Sequence, residues 1–222
     1  MEMSIIARIR TEFPEKFGIP RQSGLAPTHG TVVFEPAYRQ PEALRGLEGF
    51  SHIWLIWQFS EAVRETWSPT VRPPRLGGNT RMGVFATRSP FRPNAIGLSC
   101  VKLTAIRQDA TLGTVLEVEG ADLMDGTPIL DIKPYLPYAD SRPEATGGFA
   151  DPLREYALQV EFPEPLQAAF TPEQLATLQK VLAGDPRPSY QADAARVYGM
   201  SFAGHTVRFT VEGDTLTVRE VE

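Results

Sequence analysis

Seven short runs rich in β-branched and aromatic residues fill the first 135 positions: Ile5 to Ile9, Thr31 to Phe34, His52 to Phe59, Met82 to Thr87, Leu98 to Ile106, Thr114 to Val118 and Pro128 to Ile132. Turn residues separate them, as in Gly77-Gly78-Asn79 and Asp125-Gly126, and no helix-length apolar pattern lies between. That pattern disfavours a doubly wound α/β sheet. Ile53-Trp54-Leu55-Ile56-Trp57 is apolar on both faces and reads as a central strand, whereas Val101-Lys102-Leu103-Thr104 alternates and keeps one wetter face. Several short strands of this kind close into a barrel. The expectation is a mainly β fold, with a barrel domain over residues 1–140.

The texture changes after Tyr138. Gly, Ala, Ser and Pro crowd a stretch with little apolar periodicity, read as a linker over 141–152. Residues 153–222 read as a small α+β domain. It holds a strand-like Tyr156 to Phe162, then a helix opening at Thr171-Pro172-Glu173-Gln174 with Leu175, Leu178 and Leu182 on one face, and finally a hairpin turning at Glu212-Gly213-Asp214.

One cysteine, Cys100, leaves no intrachain disulfide, and the three histidines show no ligand spacing, so no metal is expected. No stretch approaches the ~20 apolar residues of a bilayer span, which with the lone cysteine points to a soluble, cytoplasmic protein. The net charge of −5 speaks against a nucleic-acid partner only as an average. Between Arg64 and Arg92 stand six arginines against one acid, Glu65, so a segment of +5 is set against −10 elsewhere. Arginine supplies 18 of the 22 basic residues, and its planar fork suits phosphate, carboxylate and base stacking.

The Gly-rich phosphate loops, the nucleophile elbow and the paired-cysteine motifs are all absent. What stands out is Gly83 to Ser99, read as a strand entering a loop stiffened by Pro90 and Pro93. These prolines hold Arg88, Ser89, Arg92 and Asn94 with less entropy to lose on binding an anion. Pro20-Arg21-Gln22 pins another arginine behind a proline. In Asp125-Gly126-Thr127-Pro128-Ile129-Leu130-Asp131-Ile132-Lys133, period-two counting puts Ile129, Asp131 and Lys133 on one face. Solvated arginines on a rigid turn and an edge-strand ion pair are the plainer readings of these segments.

Taken in order, Pro20-Arg21-Gln22, Thr70 to Asn79, the Gly83 to Ser99 loop and Asp125 to Tyr135 resemble the TrmO family, the TsaA-like S-adenosylmethionine-dependent tRNA methyltransferases. Asp185-Pro186-Arg187-Pro188-Ser189-Tyr190 resembles the start of the C-terminal segment of bacterial members. The resemblance implies a TsaA-like β-barrel that methylates the exocyclic N6 of threonylcarbamoyladenosine beside the tRNA anticodon. It also implies a homodimer with the cofactor pocket near the subunit interface. Carried over, S-adenosyl-L-methionine would contact Pro20, Arg21, Gln22, Phe59, Ser60, Arg88, Leu98 and the turn Asp125, Gly126, Thr127, Pro128. Ser23 and Ser60 depart from the proline and histidine that many relatives carry.

Within that framework Arg88 or Arg21 is expected to pair with the methionine carboxylate, while Phe59 and Leu98 give apolar packing. Asp131 is the candidate for taking the acceptor proton, with Lys133 or Asn94 orienting the base. Arg72, Arg75 and Arg92 are the candidate tRNA contacts. The competing class is a noncatalytic RNA-binding module using the same arginines.

Overall fold

The computed structural model describes residues 2–76, 79–153, 156–187 and 193–222. The N-terminal strands are β1 (Ala7–Thr11), β2 (His29–Phe34), β3 (His52–Gln58), β4 (Thr70–Val71), β5 (Met82–Gly83), β6 (Ile96–Asp109), β7 (Gly113–Glu119) and β8 (Pro128–Pro134). Six of them close into a barrel in the order β1-β2-β7-β6-β3-β8, every pair antiparallel, with β8 returning to β1. Among the described residues β4 and β5 pair only with each other. Ile9, Val32, Leu55, Val101, Leu116 and Ile129 fill the interior, each essentially without solvent exposure. Burying a side chain of this size is worth about 1.5–3 kcal/mol.

Short range accounts for the strands that differ from expectation. The run Met82 to Thr87 is a strand for two residues only. Val84–Ala86 is a 3₁₀ turn, closed by the Thr87 amide and hydroxyl, which both donate to the Val84 carbonyl at 3.2 and 2.9 Å. A threonine that bonds backward in this way competes with the sheet ladder. β3 alternates buried and half-buried residues, so Trp54 and Ile56 face outward. The Trp54 indole is satisfied there by Asp140, at 3.0 Å from Nε1 to Oδ2, in the short helix α1 (Pro137–Asp140). The turn expected at Gly77-Gly78-Asn79 lies largely outside the described residues.

Beyond α1 come β9 (Gln159–Glu161), α2 (Glu164–Gln167), α3 (Pro172–Ala183), β10 (Tyr198–Phe202), β11 (His205–Glu212) and β12 (Thr215–Val221). The sheet order is β10-β11-β12-β9, with β9 parallel to β12. α3 opens as its sequence dictates. Thr171 Oγ1 accepts from the Gln174 amide and Gln174 Oε1 accepts from the Thr171 amide, a reciprocal cap. β10 carried no separate signal in the sequence reading.

The second core is not made by the C-terminal residues alone. The arm 12–27 between β1 and β2 places Phe13 and Ala26 among Leu178, Met200, Phe202 and Phe209. Phe13 lies 5.2 Å from Phe202 between ring centroids, and Phe17 stacks on Phe209. Polar bonds fix the same contact: Thr177 Oγ1 donates to the Pro27 carbonyl at 2.9 Å and Gln174 Nε2 to Glu12 Oε1 at 2.8 Å.

Candidate active site at the barrel end

The arm leaves the C-terminal core through Pro20-Arg21-Gln22 and returns over the end of the barrel. Gly24 donates to the Gly120 carbonyl at 2.9 Å, and Gly120 donates to the Thr28 carbonyl at 2.8 Å. Gly120 has φ +89°, and a Cβ there would stand 3.2 Å from the Gly24 nitrogen, so this crossing requires glycine. The segment leaving β7 therefore passes beneath the arm, and it carries Asp122 with it.

Asp122 is a centre that motif reading missed. Ser99, buried on β6, donates its hydroxyl to Asp122 Oδ1 and accepts from Trp57 Nε1 at 2.9 Å. Burial pushes the Asp122 carboxyl above its ordinary range; the Ser99 bond, the Arg88 charge and the Ser23 amide oppose that rise without cancelling it. Trp57 in turn packs flat against Gly97. An added Cβ there would lie 2.2 Å from the indole. Gly97→Ala is expected to displace Trp57 and break its bond to Ser99. The overpacking should cost roughly 1–3 kcal/mol in urea unfolding.

Arg88, whose charge acts on this half-buried acid, donates from Nη1 to Gln22 Oε1. The loop bearing Arg88 is braced by Arg92, whose Nη1 donates to the carbonyls of Thr87 at 2.8 Å and Ser89 at 3.3 Å. Arg64 lies over the Phe91 ring at 3.7 Å. Asn94 is exposed, and its carbonyl accepts from the Ile96 amide. Arg21 engages the C-terminal turn: its Nη2 donates to the carbonyls of Asp185 and Arg187 at 2.7 and 2.9 Å.

The Asp125 to Pro128 turn borders the same end. Asp125 Oδ1 accepts from the Thr11 amide at 3.0 Å, Arg8 donates to the Gly126 carbonyl at 3.0 Å, and Thr127 donates its hydroxyl to Met124. Pro128 is buried as β8 begins.

The remaining predicted residues lie on the outer wall. A register shift between Ile56 and Trp57 pairs Trp57 with Ile129 and Ile56 with Asp131. It splits the face expected from period-two counting: Ile129 enters the core, while Asp131 and Lys133 lie outside, paired at 2.8 Å. A β-bulge inserts one unpaired residue, which inverts every later side chain. Beside them stand Leu98, 56% exposed and opposite Ile56, and Cys100, opposite Trp54. Burial, aided by the Asp140 charge, raises the Cys100 thiol. Phe59 packs on Trp57 at 4.2 Å between centroids, and exposed Ser60 opens a short turn that buries Ala62. Arg72 is exposed; the side chain of Arg75 lies outside the described residues.

Among the described residues no three His, Cys, Asp or Glu side chains gather as a metal site. No helix there is long and apolar enough to cross a membrane.

Comparison with known proteins places this geometry. A family model described as tRNA-methyltransferase O N-terminal domain matches residues 8–141, and one described as TrmO C-terminal domain matches 155–222. A protein of Escherichia coli (strain K12) named tRNA (adenine(37)-N6)-methyltransferase is 42% identical over 222 residues, 93% of this chain and 91% of its own. A Pseudomonas aeruginosa protein named putative S-adenosylmethionine-dependent methyltransferase RcsF is 45% identical over 89% of this chain and 87% of its own. A crystal structure of TrmO from Pseudomonas aeruginosa superposes with a TM-score of 0.78 at 36% identity, covering 100% of this chain and 98% of that one. With barrel, arm and C-terminal sheet all within that likeness, the chain belongs to the tRNA-methyltransferase O family.

Proposed function

We propose that the protein methylates N6 of adenosine 37 in tRNA, taking the methyl group from S-adenosyl-L-methionine, and that the adenosine already carries the threonylcarbamoyl group. The observation that carries this reading is a preset cationic donor. Arg88 sits on a loop clamped by Arg92, Pro90 and Pro93, is aimed by Gln22, and places its charge within reach of the half-buried acid Asp122. The names of the Escherichia coli and Pseudomonas aeruginosa relatives support the same chemistry.

The residues present suit such a donor. A guanidinium meets a carboxylate, the backbone of Pro20 to Gln22 and the Asp125 to Pro128 turn offer polar edges, and exposed Leu98 with half-buried Phe59 offer apolar walls. S-adenosyl-L-methionine supplies an electrophilic methyl on a positively charged sulfur. The chain needs no covalent intermediate; its work is to align acceptor and donor, where orientation is the main source of rate. Asp131 takes the proton of the acceptor nitrogen, with Lys133 or Asn94 orienting the modified base. The Asp131 to Lys133 pair is exposed and worth about 0–1 kcal/mol, so it opens readily to a substrate. Arg72, Arg75 and Arg92 lie in the basic segment and hold the RNA backbone, which makes binding salt-sensitive.

A second copy completes the site in this reading. Leu98 and Ile96, 56% and 38% exposed, stand beside Ile56 on the outer wall and form an apolar strip that a homodimer covers. Incubating tRNA with the protein and donor labelled in its methyl group, then resolving the nucleosides by mass spectrometry, tests the assignment. The labelled mass increment belongs on threonylcarbamoyladenosine. RNA binding without incorporation would favour the noncatalytic module.

A further inference from the structure

The function of the C-terminal unit in a reaction carried out at the barrel end follows from one buried ion pair. Asp185 and Arg187 are 6% and 9% exposed. Arg187 grips Asp185 through two nitrogens, Nε to Oδ1 at 2.9 Å and Nη2 to Oδ2 at 3.1 Å, while its own amide reaches Oδ1 at 3.2 Å. Tyr156 adds its hydroxyl to Oδ2 at 3.0 Å. Burial by itself would raise this carboxyl; the Arg187 bonds and charge, then Tyr156, bring it below the ordinary range. Asp185 adopts φ +52°, a left-handed conformation costly for a residue with a Cβ. An enclosed, strained and charged turn is an expensive way merely to follow the end of α3.

What the turn presents is two carbonyl oxygens. Those of Asp185 and Arg187 converge on Arg21 Nη2 at 2.7 and 2.9 Å, across 164 and 166 residues of chain. Arg21 is followed by Gln22, which aims Arg88, and by Gly24, whose amide donates to the Gly120 carbonyl at 2.9 Å, two residues before Asp122. The structure assigns the Asp185 to Arg187 turn as a socket that seats Arg21 and thereby fixes the Pro20 to Ser23 strip against the methyl-donor site. Arg21, Asp185 and Arg187 are positioning residues: the C-terminal unit acts on the donor pocket through them. This rests on the methyl-donor reading above.

Three variants of the full chain test it: Arg21→Lys, Arg187→Lys and the double. Lysine keeps the charge, but its shorter side chain does not bring Nζ to where Arg21 Nη2 stands between the two carbonyls, and at position 187 it has no planar fork to grip both carboxylate oxygens. Donor affinity measured by calorimetry should fall at least about tenfold in each single variant, the scale of one charge-assisted hydrogen bond. The double should lose no more than the worse single, because both break one chain of contacts. In steady state the KM for the donor should rise in the same proportion, with kcat at saturating donor within about twofold. Affinity for tRNA should be unchanged. Donor affinity held at the wild-type value while the melting temperature falls would make the turn structural only and overturn the inference. A fall in tRNA affinity with donor affinity intact would overturn it in favour of an RNA-holding role. Wild-type protein that binds no donor would remove both this inference and the reading beneath it, whereas wild-type binding with unaffected variants removes this one alone.

Discussion

Phe13→Ala lowers the unfolding free energy by about 3–5 kcal/mol, the cost of emptying a fully enclosed aromatic site. Phe13 is 1% exposed and faces Phe202 at 5.2 Å, while its carbonyl accepts from the Asp125 amide at 2.8 Å. The side chain thus belongs to the C-terminal core and the backbone to the barrel rim. The loss should therefore appear first in hydrogen-exchange protection of β10 to β12. Fluorescence of Trp54, Trp57 and Trp67, all in the N-terminal part, should follow a later transition. Equal loss of protection across β2 and β7, with β10 to β12 unaffected, would contradict this division of the cores.

Arg88→Ala should reduce kcat/KM by about 10²- to 10³-fold, the range seen when one preset donor is removed from a reacting site. Arg88 is exposed, so its melting temperature should stay close to that of the parent. Arg88→Lys should recover only part of the activity, since a point charge cannot hold Gln22 and a carboxylate in one plane. Gln22→Ala should cost less than Arg88→Ala, because it removes the aim and leaves the charge. An Arg88→Ala enzyme within about tenfold of wild type would dismiss this arginine as the anion contact.

The barrel was legible because each of its strands is a local object: an apolar run with Gly or Pro at its ends. The α3 cap was legible for the same reason, since Thr171 and Gln174 satisfy each other within one turn. What failed to show were relations between distant residues. Phe13, Phe17 and Ile19 look like an ordinary loop after β1, and nothing nearby reveals that their partners lie in β10 and β11. Asp122 sits outside any motif, and its importance comes from Ser99 and Trp57, which the barrel brings to it. The bulge beside Ile129 illustrates the limit of counting by twos, because one unpaired residue reverses the face of Asp131. The arginines stand out in the sequence as polar and proline-flanked, but composition could not say that Arg92 braces its own loop or that Arg21 is engaged with the C-terminal turn.

The arm between β1 and β2 imposes an order of events on synthesis. Phe13, Phe17 and Ile19 emerge from the ribosome long before their cover, Met200, Phe202 and Phe209, is made. At about 5–20 residues per second, that interval is on the order of 10–40 s. Throughout it the nascent chain carries an unburied aromatic cluster while the barrel itself, complete once β8 is translated, is free to close. Truncated products ending before β10 should accordingly be sticky substrates for chaperones, although their barrel strands are all present.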